Sequence, residues 1–112
     1  MSPNDRMRLR HIVEALNSAF RFIEGRQRND LDRDTMLLFA LVRTIEIAGE
    51  AARRVSPAGR EELPDVPWDP MIGMRHRLVH AYFDVDGDIL WTTVTEAAPS
   101  VAERLSTFLG EE

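Results

Sequence analysis

Residues 73–82, Gly-Met-Arg-His-Arg-Leu-Val-His-Ala-Tyr, hold the densest group of side chains that could do chemistry. His76 and His80 lie here with Arg75 and Tyr82, and only one other His occurs in the chain. An imidazole titrates near neutrality and can move the proton of a ribose 2′-hydroxyl or of a leaving oxygen. An arginine can neutralise the negative charge that grows on a phosphorus centre. The segment therefore carries the groups that acid–base cleavage of a phosphodiester needs.

The residues alone leave two other interpretations of this cluster open. Arg, His and Tyr side chains on a helix commonly form surface ion pairs and hydrogen bonds between helices without any catalytic role. His76 and His80, four residues apart, could also bind a metal ion from one face of a helix. Arg77 stands where a metal-binding H-E-x-x-H helix has Glu, and its charge disfavours a bound cation. The sequence therefore favours neither a metal site nor another cofactor.

The composition indicates one globular domain over residues 1–112. Apolar residues make up 44% of the chain, too large a fraction for a disordered protein. Because the chain has no Cys, a disulfide framework, a thiolate nucleophile and a cysteine metal site are excluded. No apolar run reaches the length of a membrane span, and Arg6, Arg8 and Arg10 stand where a signal peptide needs apolar residues. A cytoplasmic protein without membrane contact is expected.

The charges are divided unevenly along the chain. All 14 basic residues are Arg; 11 of them, against 8 acidic residues, lie in residues 1–60, while residues 61–112 hold 3 Arg against 11 acidic residues. Arginine suits bidentate contacts with phosphate, so this balance is compatible with nucleic acid as a partner but does not require it.

Apolar residues at spacings of three and four predict four main helices. The first carries its apolar face over residues 9–23, and the second runs over about residues 34–54. Prolines within residues 56–70 predict a connecting loop without regular structure. The last helix contains residues 90–108, and Pro99 should kink or split it. The predicted fold class is an all-α, up-and-down bundle of four helices, or five if Pro99 breaks the last one.

The third helix is predicted over about Pro70–Tyr82, with Asp69 as its N-cap. On an unbroken helix of this length Arg75 and His80 point about 140° apart. One helix then cannot direct both side chains to a single point unless it ends near His80 or a second copy contributes. A two-fold dimer with paired third helices would form such a composite cleft.

The pattern Arg75-x-x-x-x-His80-x-Tyr82, within residues 73–86, resembles the signature of the HepT-like branch of the HEPN superfamily. The resemblance extends from about Leu37 to the C-terminus. Further segments that are similar to the family's recurrent ones follow in the same order: Ile45-Glu46-Ile47-Ala48-Gly49-Glu50-Ala51-Ala52, Leu63-Pro64, Val66-Pro67-Trp68 and Ile89-Leu90-Trp91-Thr92-Thr93-Val94.

This resemblance implies a dimerising HEPN-type bundle that acts as a metal-independent endoribonuclease toxin of a type VII-like toxin–antitoxin pair. Its partners would be RNA, a second copy of the chain and a minimal nucleotidyltransferase antitoxin. Arg75 would contact the scissile phosphate, His80 would transfer the proton, and Tyr82 would accept AMP from the antitoxin. His76 stands where the family most often has Asn, and it would donate to the phosphate or share the acid–base work. The alternative function is a non-catalytic helical subunit of a nucleotidyltransferase complex that only binds nucleotide or RNA.

Two further pairs of side chains have a packing or positioning interpretation. Glu46 and Glu50, one helical turn apart, are expected to orient arginine side chains, Arg75 among them. Trp68 and Trp91 are expected to anchor the core or a dimer interface rather than to stack on bases, since no basic residue adjoins either one.

Overall fold

The computed structural model describes residues 1–81 and 84–111, and most of these residues are helical. The elements, in chain order, are helix α1 (Pro3–Phe22), a 3-10 turn (Arg28–Asp32), α2 (Thr35–Arg53), α3 (Pro57–Glu61), α4 (Trp68–Leu78), strands β1 (Val79–Ala81) and β2 (Asp84–Val85), α5 (Gly87–Thr92), a π-helical segment (Thr93–Ala97) and α6 (Ala98–Glu111). The predicted all-α class is confirmed. None of the helices in the described ranges is both long and apolar enough to cross a membrane.

The two long helices form where the apolar spacing predicts them, and local capping sets their starts. The Ser2 side chain accepts a hydrogen bond from the Asp5 backbone N–H at 3.1 Å at the start of α1. Asp34 accepts from the backbone N–H of Leu37 at 3.0 Å and so caps α2. Helix α1 packs against α2 and α6, and α2 packs against α4. Fully buried side chains such as Leu9 and Leu41 form the core between α1 and α2.

The connection over residues 56–70 is more regular than predicted. It contains the short helix α3, whose N-cap Ser56 accepts from the Gly59 N–H at 3.1 Å. The expectation of a loop without regular structure is wrong here, because a proline in the first turn of a helix loses no hydrogen bond and already has a helical φ. Trp68 is buried, as expected, and its indole N–H donates to the carbonyl of Leu63 at 3.0 Å.

Pro99 splits the last helix, as predicted. A proline has no N–H, so Pro99 cannot donate to the carbonyl one turn before it. The chain responds with the π-helical segment directly before α6. In this region the hydroxyls of Thr93 and Thr95 donate to the carbonyls of Ile89 and Trp91, each at 2.7 Å.

The predicted bounds of the third helix are wrong at both ends. Helix α4 begins at Trp68 rather than after Asp69, which is possible because the N–H that Pro70 lacks has no helical partner in the first turn. It ends at Leu78, and Val79 is already extended. Strands β1 and β2 then pair antiparallel and irregularly. This β-hairpin replaces the predicted last turn of the helix.

A buried carboxylate joins the start of α1 to the start of α3. Asp5 is 6% exposed and accepts hydrogen bonds from the backbone N–H of Ser56 at 2.9 Å and from the Ser56 hydroxyl. Burial alone would raise the pKa of Asp5, but the hydrogen bonds from Ser56 and Ser2 outweigh it and hold the pKa below its ordinary value of 3.8. The resulting stabilisation is present above the ordinary pKa and is lost as the pH falls through the lower, folded-state pKa.

We expect Asp5→Asn to lower the free energy of unfolding at pH 7 by about 1–3 kcal/mol, because the substitution removes a charged acceptor from a buried network. The difference from wild type should shrink as the pH falls below 3.8, because the unfolded chain then takes up a proton at Asp5 that the folded protein still resists. Urea unfolding at pH 7 and pH 3 measures both values. Glu14→Gln, which removes an exposed carboxylate from the same helix, is the control. A loss for Asp5→Asn that is equal at both pH values would contradict the linkage.

Candidate active site

Helices α2 and α4 lie antiparallel and close together, and this arrangement sets the candidate site. A Cβ added to Gly49 would lie 2.8 Å from the carbonyl oxygen of Met71, so only a residue without a side chain permits this approach. One turn earlier on α2, Glu46 meets Arg75 of α4. Gly49 contacts Met71, and Glu46, which comes earlier on α2, contacts Arg75, which comes later on α4. The C-terminal end of α4 therefore points toward the start of α2.

Arg75 is held by Glu46, as expected from the sequence. The Nε of Arg75 donates to Oε2 of Glu46 at 2.6 Å, a charge-assisted hydrogen bond. The Arg75 side chain is still 60% exposed, whereas that of Glu46 is 26% exposed. Within the part of the chain that the structure describes, the Glu46 bond is the hydrogen bond that Arg75 makes, and it uses Nε. The terminal nitrogens of Arg75 are therefore available to an oxyanion from solvent.

Glu50 serves other arginines. It accepts from Nη2 of Arg53 at 2.8 Å and from Nε of Arg54 at 3.1 Å. These hydrogen bonds hold the pKa of the Glu50 carboxyl below its ordinary value. Because Glu50 is engaged within its own helix, Glu46 is the carboxylate that positions Arg75. A depression of about 80 Å³ is lined by Ile45, Glu46, Gly49, Glu50, Arg53, Met71, Ile72 and Arg75.

His76 and His80 lie on different elements. His76 is exposed on α4, whereas His80 is exposed on β1, two residues beyond the end of the helix. The angle of about 140° between Arg75 and His80, which presumed an unbroken helix, therefore does not apply. The same break removes the helical i, i+4 geometry on which the metal-pair interpretation of His76 and His80 depended. Among residues 1–81 and 84–111, no three or more His, Cys, Asp or Glu side chains group as metal ligands would.

Tyr82, the expected AMP acceptor, lies outside the described residues. The third helix, predicted to reach Tyr82, ends at Leu78 instead. The candidate residues Arg75 and His80 therefore lie on α4 and on the hairpin that follows it. Sequence reasoning missed this hairpin, although the β-branched Val79 and the turn-favouring residue types of Asp84-Val85-Asp86-Gly87 gave a weak signal for it.

A larger cavity of about 450 Å³ lies between α2, α4 and the last helices. Its lining is mainly apolar, and the charged side chains in it are those of Arg77 and Asp88. Phosphate chemistry needs convergent cationic and titratable groups rather than an apolar lining. We therefore assign the candidate site to Arg75 and its surroundings, not to the larger cavity.

The chain is similar to known proteins over most of its length. The family model described as "Ribonuclease HepT-like" matches residues 12–108. A Methanocaldococcus jannaschii protein named "Putative RNase MJ1380" is 35% identical over 94 residues, which cover 84% of this chain and 86% of the relative. A Thermococcus cleftensis protein named "Probable ribonuclease HepT" is 38% identical over 93 residues, which cover 83% of this chain and 84% of the relative.

No solved structure gave a significant match to the chain. The family match nevertheless spans α2, α4, the hairpin and the last helices, so it contains every residue of the candidate site. Taken with relatives that are more than 30% identical over most of their length, this match shows that the chain belongs to the HepT-like ribonuclease family.

Proposed function

We propose that this protein is the toxin of a type VII-like toxin–antitoxin pair and cleaves RNA without a metal ion. The observation that carries the proposal is the Arg75–Glu46 contact at 2.6 Å. It holds the guanidinium at the solvent-exposed exit of α4, directly before the hairpin that carries His80. A cation held in place on α4 and an exposed imidazole on the strand that follows it are the two kinds of group that phosphodiester cleavage by a ribose 2′-hydroxyl needs.

In the proposed reaction His80 takes the proton of the 2′-hydroxyl as its oxygen attacks the adjacent phosphorus. The bond from phosphorus to the 5′ oxygen breaks, and this oxygen takes up a proton from water or from His76. His80 then releases the proton it accepted to water. The products are a 2′,3′-cyclic phosphate and a free 5′-hydroxyl. Arg75 neutralises the charge that develops on the non-bridging phosphate oxygens. His76 supports the site by donating to the phosphate or by sharing the proton transfer.

The active form is proposed to be a homodimer with a composite cleft. Because α4 ends at Leu78, the angle between Arg75 and His80 on a continuous helix no longer supports a dimer. The exposed apolar surface of α2 does support one. Met36, Phe39 and Ile47 are 84%, 41% and 37% exposed. Their spacing of three and eight residues places them along one outer stripe of α2. A second copy that covers this stripe would remove apolar surface from water.

The antitoxin is proposed to be a nucleotidyltransferase that adds AMP to Tyr82. This residue follows His80 by two positions, so a modification there falls next to the proposed site. The added phosphodiester carries a negative charge and the nucleoside is bulky. Both would oppose the entry of an RNA phosphate.

We expect the purified protein to cleave single-stranded RNA in the presence of EDTA, because neither proposed catalytic group needs a metal ion. Mass spectrometry of the fragments should find a 2′,3′-cyclic phosphate. Light scattering on the same sample should give the mass of a dimer at micromolar concentration. RNA binding without any cleavage would overturn the ribonuclease proposal and favour the non-catalytic binding subunit. Full cleavage by a monomer would overturn the composite cleft.

A further inference from the structure

Arg28 connects two distant parts of the chain. It lies in the 3-10 turn between α1 and α2, and its Nε donates to Oδ1 of Asp88 at 2.7 Å. Its Nη1 donates to Oδ1 of Asp32 at 3.2 Å within the turn. Asp88 lies in the first turn of α5, sixty residues away along the chain. The α1–α2 connection is therefore tied directly to the start of α5.

The backbone of α5 accommodates the Arg28 guanidinium at Gly87. A Cβ added to Gly87 would lie 2.9 Å from Nη2 of Arg28. The guanidinium thus lies against the first residue of α5, in space that any side chain would occupy. Because the contact is made by the far end of a flexible side chain, an alanine here would displace Arg28 rather than the helix.

The start of α5 is also the base of the hairpin that carries His80. Asp86 links β2 to α5, and its backbone N–H donates to the carbonyl of Leu78 at 2.8 Å. The Asp86 side chain caps α5 by accepting from the backbone N–H of Ile89 at 3.0 Å. Above this base, Val79 pairs with Val85. A shift in the first turn of α5 would therefore move both strands of the hairpin.

We propose that Arg28 is a positioning residue of the RNA-cleaving site. It holds the base of the His80 hairpin against the connection that leads into α2, while Glu46 on α2 holds Arg75. The positions of Arg75 and of the His80 hairpin are thereby both fixed relative to α2. The proposal rests on the function proposed above, and it adds a residue that touches neither RNA nor the reacting atoms.

The expected size of the effect of Arg28 on the cleavage rate differs from its expected effect on the stability of the fold. The Arg28 and Asp88 side chains are 34% and 85% exposed, and an ion pair this exposed stabilises a fold by at most about 1 kcal/mol. A displacement of a catalytic group by about 1 Å can lower the rate by about 100-fold. Loss of Arg28 should therefore affect the rate far more than the stability.

The test compares Arg28→Ala and Gly87→Ala with a matched control, Arg26→Ala. Arg26 lies in the same connection and pairs with Asp34 at 3.2 Å, so its loss removes the same charge without touching α5. We expect Arg28→Ala to lower kcat on an RNA oligonucleotide by about 10-fold or more with KM within about 2-fold of wild type. Gly87→Ala, which removes no charge, should change kcat in the same direction, and Arg26→Ala should retain wild-type kcat.

Hydrogen exchange supplies a readout that does not depend on cleavage. The amides of residues 79–81 and 84–86 should exchange faster in Arg28→Ala than in Arg26→Ala, with the core helices unchanged. Equal kcat for Arg28→Ala and Arg26→Ala in an enzyme that cleaves RNA would overturn the positioning role and leave the proposed function standing. A wild-type protein that does not cleave RNA overturns the proposed function and the positioning role with it. In that case exchange still shows whether Arg28 restrains the hairpin.

Discussion

Replacing Arg75 or His80 with alanine is expected to lower RNA cleavage by at least about 100-fold. Loss of one group that stabilises transition-state charge costs about 100-fold to 1,000-fold in rate, and loss of a general acid or base costs about 100-fold to 10,000-fold. Both side chains are exposed, so neither substitution leaves a cavity in the core. Circular dichroism and thermal unfolding should therefore match wild type closely, and any growth inhibition by the expressed wild-type protein should disappear in both variants.

Arg77→Ala is the matched control for Arg75→Ala, because it removes the same charge from an exposed position of the same helix. Two residues along a helix turn the side chain by about 200°, so Arg77 points away from Arg75. We expect Arg77→Ala to keep most of its activity. Full activity in both Arg75→Ala and His80→Ala would refute the site. A large drop in the unfolding temperature of either variant would instead support the purely structural interpretation of the cluster.

The second large effect is expected at Tyr82. Wild-type protein incubated with ATP and the proposed nucleotidyltransferase partner should gain AMP on Tyr82 and lose RNA cleavage. The reason is electrostatic and steric, since the added phosphodiester anion and nucleoside would compete with RNA for the neighbourhood of His80 and Arg75. Tyr82→Phe should cleave RNA like wild type, because the proposed chemistry uses no phenol, and should stay active after the same incubation.

Peptide mass spectrometry locates the AMP, and a cleavage assay on the same samples measures its effect. AMP on another residue would contradict the choice of Tyr82. Wild-type protein that carries AMP on Tyr82 and still cleaves at its full rate would contradict the inhibitory role. An unmodified sample incubated without ATP controls for inhibition by simple binding of the nucleotidyltransferase.

Local sequence pattern is enough to predict the helical architecture. The apolar spacing over residues 9–23 and 34–54 corresponds to α1 and α2, and Ser2 and Asp34 cap them as their types suggest. Pro99 interrupts the last helix because a proline cannot donate a backbone hydrogen bond wherever it stands. These features depend on residues within a few positions of one another, and local pattern therefore suffices to predict them.

The sequence also determined one contact of the candidate site. Glu46 and Glu50, one helical turn apart, are predicted to orient arginine side chains, Arg75 among them, and Glu46 does accept a hydrogen bond from Arg75. The resemblance to the HepT-like family can also be recognised from the sequence, because it depends only on residue types and their order. The family match over residues 12–108 confirms it.

The end of α4 and the contacts that hold the residues after it depend on contacts between distant parts of the chain. Helical spacing continues past Leu78, but the pairing of Val79 with Val85 and the bond from Asp86 to Leu78 replace the helical hydrogen bonds there. The Arg28–Asp88 pair joins residues sixty positions apart. Periodicity reports which face of a local segment is buried and carries no information about such distant partners. The placement of His80 relative to Arg75 therefore follows from contacts that form only when the chain is folded.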